Sequence, residues 1–488
     1  MKQILTKSKY ILGLECPKHL WITFNQPEKI RKVMLAEEFK FREGEKVGDL
    51  AKTLFSDGIN LPAENYLENL RKTKEAMKKG KPLFEAGFEF NNCFSRADIL
   101  IPTGKEWDII EVKSGTEVKD INIHDVSFQK YVYESNGLKI RKCFLMHLNK
   151  EYFRKGKLNV EKLFVKEDIT SQVNSLVKNI KNRIDEMFRI IALEEPPKAG
   201  LLIDKEIKEG YHDCFTENCL DDLPENHVFC LYRGNKLACE LFENEIMHIK
   251  DIPQYVKLSE KQEIQRECEI KNKTYVDKEG IKRFLKTLKY PVYYLDFETF
   301  STAIPMFDSL KPYSQVPFQF SLHIVKEGSD KPEHYEFLYD GNKDSREDFA
   351  NALKKVIGDK GTVLVYNQSF EIGRLKELAE HFPEHKEWID SVLKRIVDLL
   401  VPFREFSYYN PKQQGSASIK EVLPAITGKS YKGMEIGDGG TASAVFFKMA
   451  YEICSEEEKK KIRGNLLKYC ELDTLAEVMI VDKLRKIV

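Results

Sequence analysis

In KYPVYYLDFETF, Asp296 and Glu298 sit two residues apart at the end of an apolar run. The run predicts a strand, so both carboxylates leave the same face. Burying two like charges is costly unless they are paired or bound to metal. Paired hard oxygen ligands suit Mg²⁺ or Mn²⁺, and two solvated acids at an exposed strand end fit the fragment equally well. Two more fragments extend the pattern. LVYNQSFEIGRLKEL joins a buried strand to a helix, with Asn367, Phe370 and Glu371 at the junction. KYCELDTLAEV puts Tyr469 and Asp473 at i and i+4, on one helix face.

A second constellation lies nearer the amino terminus. In FSRADILIP, Asp98 ends a polar turn into a strand; in DIIEVKSG, Glu111 and Lys113 share a face of the next strand. Two carboxylates and an amine on adjacent strands suit metal-assisted hydrolysis of a phosphate ester, the acids holding Mg²⁺ and the amine stabilising charge. A surface salt bridge on an edge strand fits EVK alone. In QKYVY, Gln129 and Tyr133 stand one helical turn apart.

The elements that must position these groups form two α/β units. Residues 1 to about 200 show helical patterns at 35–55 and 64–79, extended segments at 84–91, 95–101, 106–113 and 141–148, and a charged helix at 167–193. A Gly, Asp, Cys and Pro texture around 200–225 marks a domain margin, and 258–288 reads as a charged helical connector. From Tyr290, PVYYLDFETF, FQFSLHIV and HYEFLY predict three strands. TVLVYN predicts a fourth after a helix at 345–357, and the remainder is almost wholly helical, ending in an amphipathic stretch from Ser455 to Ile487.

Lys plus Arg and Asp plus Glu both number 78, so the net charge is zero and any phosphate-binding surface must be a local patch. The first residues lack a signal-peptide pattern, and no run of about 18 apolar residues occurs. The ten cysteines are not a disulfide framework and are expected to be reduced. A cytoplasmic protein with no membrane partner is the expectation.

The three carboxyl-terminal fragments together resemble the DnaQ-like, DEDD superfamily of 3′–5′ exonucleases, built on an RNase H-like fold. Tyr469, four residues before Asp473, places the resemblance in the DEDDy subclass. It implies two-metal phosphodiester hydrolysis, with Asp296, Glu298, Glu371 and Asp473 holding cations about 3.5–4 Å apart and Tyr469 orienting the attacking water. The family's second motif ends in Asp where this chain has Glu371; the extra methylene shifts the coordination geometry, which Mn²⁺ tolerates better than Mg²⁺. Asn367 and Lys420 are candidate substrate contacts. Phe318 and Phe320 are expected in the core, with stacking on bases as the alternative.

The Asp98, Glu111, Lys113, Gln129, Tyr133 order resembles the restriction-endonuclease-like PD-(D/E)XK superfamily, in the RecB-like branch that includes CRISPR-associated exonucleases. That branch carries an upstream metal-ligating His where FREGEKVGDLAKTLF offers Gly48, and Glu85 or Glu89 is the available extra carboxylate. The branch also implies a 4Fe-4S cluster, here on Cys16, Cys214, Cys219 and a fourth ligand, Cys230 or His212.

The order of the two modules resembles a bacterial family of uncharacterised proteins fusing a RecB-like nuclease domain to a DnaQ-like domain. The resemblance implies a RecB-like domain over 1–225, a mixed connector over 226–289 and a DnaQ-like domain over 290–488. It further implies a metal-dependent exonuclease acting on DNA, in repair or in defence against foreign DNA. The alternative is a nucleic-acid-binding or scaffolding protein with one or both sites degenerate, which Glu371 and Gly48 motivate.

Overall fold

The computed structural model describes residues 3–62, 65–198, 223–329 and 331–488. The chain is mixed α/β and divides into two compact units: 1–222 with 302–314, and 223–301 with 315–488. Residues 226–289, expected as a connector, therefore group with the second unit. Among the described residues no helix is long and apolar enough to cross a membrane.

The first unit is built on β1 (Leu5–Thr6), β2 (Ile59–Asn60), β3 (Leu83–Phe90), β4 (Cys93–Thr103), β5 (Glu106–Lys113), β6 (Ile140–Leu148) and β7 (Phe164–Asp168). They form one sheet in the order β2-β3-β4-β5-β6-β7, with β1 beside β4. Strands β3, β4 and β5 are an antiparallel meander. Strand β6 runs parallel to β5, which requires a crossover, and helix Asp120–Ser135 supplies it. Alternation along β5 sends Ile109 into the core that contains Phe128 and Tyr133 of that helix. Ile110 points the other way, against Val47 and Ala51 of helix Leu35–Lys52. Asp98 lies within β4 rather than in the polar turn expected before it, because the hairpin at Asn91 and Asn92 turns earlier.

The second unit contains β8 (Tyr275–Val276), β9 (Val292–Phe300), β10 (Val316–Val325), β11 (Glu333–Leu338), β12 (Thr362–Val365), β13 (Ile396–Asp398) and β14 (Tyr408–Tyr409). Its main sheet has the order β11-β10-β9-β12-β13, while β8 pairs with β14. Strands β9, β12 and β13 are parallel; β10 is antiparallel to both its neighbours. Tyr293, Leu295 and Phe297 pack on one side with Phe349, Leu375 and Leu378. The intervening residues face the other side, where Phe300 meets Phe446 and Phe447 of helix Gly439–Tyr451. The helical connector expected at 258–288 is two helices, Glu260–Lys271 and Lys278–Leu285. They are parted by left-handed Asn272 (φ 46°) and by β8.

Candidate functional site

Strand β9 delivers Asp296 and Glu298 to the face covered by helices Gly439–Tyr451 and Glu456–Ile487. The long helix carries Tyr469, Asp473 and Glu477 at successive four-residue steps, hence along one stripe. One oxygen each from Asp296, Glu298 and Asp473 lie within 4.8 Å of one another. None of the three makes an ion pair among the described residues. Burial pushes Asp296 up to about 6. Burial and the neighbouring carboxylates raise Glu298 and Asp473 well above the ordinary range.

Tyr431 fixes Asp473 by donating its hydroxyl to Oδ1 at 2.6 Å, and the Tyr469 hydroxyl stays protonated because burial and the surrounding acids raise it. Lys420 Nζ stands 5.7 Å from the centre of the Tyr469 ring, and its charge favours the ionised forms of Asp296, Glu298 and Asp473. Gly439 opens the helix that covers Glu298, and a Cβ there would come within 3.2 Å of Glu298 Oε2.

Glu371 enters from the first turn of helix Gln368–His381. Its Oε2 is buried with no hydrogen-bond partner among the described residues, and burial together with Asp296 pushes the carboxyl up to about 9. Glu477, which the sequence reading passed over, is 1% exposed, and neither of its carboxylate oxygens has a partner among the described residues. Burial, then Asp296, Glu371 and Asp473, raises it well above the ordinary range. Asp296, Glu298, Glu371, Asp473 and Glu477 thus share one electrostatic neighbourhood, to which Asp398 also contributes. Asn367 has left-handed backbone (φ 75°), and its N–H donates to Asp398 Oδ1 at 2.9 Å; Leu400 N–H does the same. Asp398 therefore anchors the turn that presents Glu371, while the Asn367 side chain stays exposed and accepts from Ser369 Oγ at 2.9 Å. Phe318 and Phe320 are core residues: Phe318 stacks on Phe446, and Phe320 packs against Phe337 and Phe349.

In the first unit Glu111, Lys113 and Gln129 converge, and two residues outside the sequence motif join them. Glu111 Oε1 accepts from Lys113 Nζ at 2.8 Å and from Lys7 Nζ at 2.6 Å; Oε2 accepts from Gln129 Nε2 at 2.7 Å. Asp125 Oδ2 accepts from Lys113 at 2.5 Å, and its Oδ1 lies 3.7 Å from Lys7 Nζ. Burial works against the charged form of Glu111, but the two ammoniums hold it well below the ordinary range. Asp98 accepts from the Val112 N–H at 2.7 Å, and burial plus Glu111 push it up to about 7.

Tyr133 sits in the core with its hydroxyl donated to the Ala86 carbonyl at 2.6 Å, so it is not among the groups gathered on Glu111. Glu85 is paired with Lys52 at 3.2 Å. Gly48 is on helix Leu35–Lys52, where an added Cβ would meet nothing within 4 Å. Cys16 caps helix Pro17–Asn25, its Sγ accepting from His19 N–H at 3.3 Å; Cys230 Sγ lies 3.4 Å from His227 Nε2. Cys214, Cys219 and His212 fall outside the described residues.

The profile of a domain of unknown function, DUF2779, matches residues 293–418, which contain Asp296, Glu298 and Glu371 and stop short of Asp473. The chain is similar to an uncharacterized protein of Mycoplasma pneumoniae, the MG366 homolog, at 29% identity over 42% of this chain and 34% of the relative. It is similar to the uncharacterized protein UU173 of Ureaplasma parvum at 27% identity over 41% of this chain and 32% of the relative. The matched part thus spans about a third of the length of these curated relatives.

Proposed function

We propose that the second unit is a metal-dependent exonuclease of the DEDDy kind, hydrolysing phosphodiester bonds of DNA. The observation that carries this reading is the convergence of Asp296, Glu298 and Asp473 within 4.8 Å, Asp473 buried and the other two partly so, with no paired cation among the described residues. The strand order β11-β10-β9-β12-β13, with β10 reversed, supports an RNase H-like reading of the fold. The donor set fits hard divalent ions: all oxygens, with buried unpartnered atoms on Glu371 and Glu477.

Asp296, Glu298 and Asp473, with Glu371 and Glu477 beside them, are the residues that would hold divalent ions. Bound Mg²⁺ or Mn²⁺ would supply an activated water and neutralise charge on the leaving oxygen. Tyr469 orients that water with a protonated hydroxyl, Tyr431 fixes the Asp473 carboxylate, and Lys420 brings a positive charge to the phosphate. Glu371, longer than Asp, favours Mn²⁺ over Mg²⁺.

The meander β3-β4-β5, the crossover helix and parallel β6 support a restriction-endonuclease-like reading of the first unit. Its carboxylates carry a different balance. Lys7 and Lys113 occupy the oxygens of Glu111 and Asp125 that a metal would use. For this unit the binding or scaffolding reading is favoured over catalysis.

The test is degradation of end-labelled single- and double-stranded DNA with Mg²⁺ or Mn²⁺. Asp296→Asn and Asp473→Asn are each expected to abolish it, and Lys113→Ala to leave it. Digestion that survives Asp296→Asn but not Lys113→Ala transfers catalysis to the first unit; DNA binding without digestion in either metal leaves binding alone.

A further inference from the structure

A second group of metal-ligand side chains lies on the outer strands of the same sheet. His323 of β10 and His334 of β11 are directly opposite in the antiparallel register, and their rings stack with centroids 4.4 Å apart. Glu471, on helix Glu456–Ile487, is the third member: one ligand atom from each residue lies within 4.8 Å of the others. The Asp296 group does not include them.

What separates this from a chance meeting is the treatment of the other ring nitrogens. His323 Nδ1 is 2.8 Å from Thr474 Oγ1, Thr474 Oγ1 is 2.7 Å from Ser321 Oγ, and Ser321 Oγ is 2.9 Å from His334 Nε2. Thr474 can also donate to the Glu471 carbonyl, at 3.2 Å. One proton arrangement satisfies every group. His323 Nδ1–H and the Ser321 hydroxyl donate to Thr474, Thr474 donates to the carbonyl, and His334 Nε2–H donates to Ser321. In that arrangement the bare lone pairs are on His323 Nε2 and His334 Nδ1, whereas Thr474 donating to His323 Nδ1 instead would place the proton on His323 Nε2. Metal-ligating histidines carry this feature: the second nitrogen is held by an outer partner that fixes ring and tautomer. His323 is buried, and burial and His334 lower it to about 4, so it stays neutral at pH 7.

We propose that His323, His334 and Glu471 form a binding site for one transition-metal ion of the Zn²⁺ class, with a fourth position open to water. Two imidazoles and one carboxylate are a borderline-soft donor set, unsuited to Mg²⁺ and well suited to Zn²⁺ or Co²⁺. The rings stack at 24°, so binding one ion would tilt them out of the stack to converge their lone pairs, and exposed Glu471 would swing in to complete the set. The ion would clip the long helix to β10 and β11, two residues away from Asp473.

The test is titration of the Asp296→Asn protein with Zn²⁺ and, for its visible d–d bands, with Co²⁺, in excess Mg²⁺. Single His334→Gln and Glu471→Gln variants, each in that background, are compared. The expected result is that His334→Gln loses one Zn²⁺ equivalent and the associated Co²⁺ absorbance, and that Glu471→Gln weakens binding at least tenfold. Both altered side chains are partly or fully exposed, so circular dichroism and melting should show folded protein. Equal stoichiometry and spectra in the parent and the His334→Gln protein would overturn the proposal, and so would no Zn²⁺ binding that survives Mg²⁺.

Discussion

Lys7 Nζ lies 2.6 Å from Glu111 Oε1, across 104 residues of sequence. The contact puts an ammonium on the carboxylate expected to hold a metal, and Lys113 donates to the same oxygen at 2.8 Å. Two cations and two anions, Glu111 and Asp125, close a balanced set that needs no further charge. Removing Lys7 should therefore do two things. Lys7→Met should lower stability at pH 7 by roughly 1–3 kcal/mol, the buried-pair range reduced because both lysines are partly exposed. It should also open the set to divalent ions. In an Asp296→Asn background, Mn²⁺ should raise the melting temperature only when Lys7 is also replaced. An equal Mn²⁺ shift with Lys7 present would show that the lysine is no barrier.

Metal-free stability should fall with rising pH. Asp296 is pushed up to about 6 and Glu371 to about 9, both above their values in the unfolded chain. The folded state therefore keeps protons that the unfolded state has lost, so stability is greatest at or below the ordinary carboxylate range. It declines as pH passes through about 4 to 9. Melting curves in EDTA across this window should show wild type losing more than Glu371→Gln. Parallel curves would remove Glu371 as the source. Mn²⁺ should flatten the decline, because bound metal favours the ionised acids.

Glu477→Gln keeps the shape and removes a buried charge site with two unpartnered oxygens. The metal-free protein should be stabilised by about 1–2 kcal/mol, since an uncompensated buried acid is costly. The Mn²⁺-induced rise in melting temperature should shrink. An undiminished rise would show that Glu477 is no ligand.

Tyr431→Phe deletes the 2.6 Å hydrogen bond to Asp473. Outer partners of metal ligands typically contribute 10- to 100-fold to affinity or activity, so a loss of about that size is expected in Mn²⁺ affinity and in DNA degradation. Unchanged Mn²⁺ affinity would make the tyrosine a packing residue.

The local elements were legible where period and length agreed. VYYLDFETF alternates cleanly about Asp296 and Glu298, and its strand falls at Val292–Phe300. Strand β13 was missed because Ile396–Asp398 is three residues long, too short for a period. Missing it hid Asp398, which holds the Asn367 turn through two backbone N–H groups. Lys7 and Asp125 were illegible for another reason: one precedes the motif by about 90 residues and the other lies inside a helix read only for Gln129 and Tyr133. Tyr133 had the right spacing, yet its hydroxyl goes to Ala86 in the core. Glu477 continues the four-residue step from Tyr469 and Asp473, so its signal is present in the sequence one turn beyond the motif.

One α-helical rod, Glu456–Ile487, carries Tyr469, Asp473 and Glu477. Eight residues at ~1.5 Å rise put its outer two about 12 Å apart on a single lever. A small tilt or screw of that lever shifts all three groups together, so the place of the tyrosine and the spacing of the acids are geared to one another. Altering a residue on its far side can retune the whole row without touching any member of it.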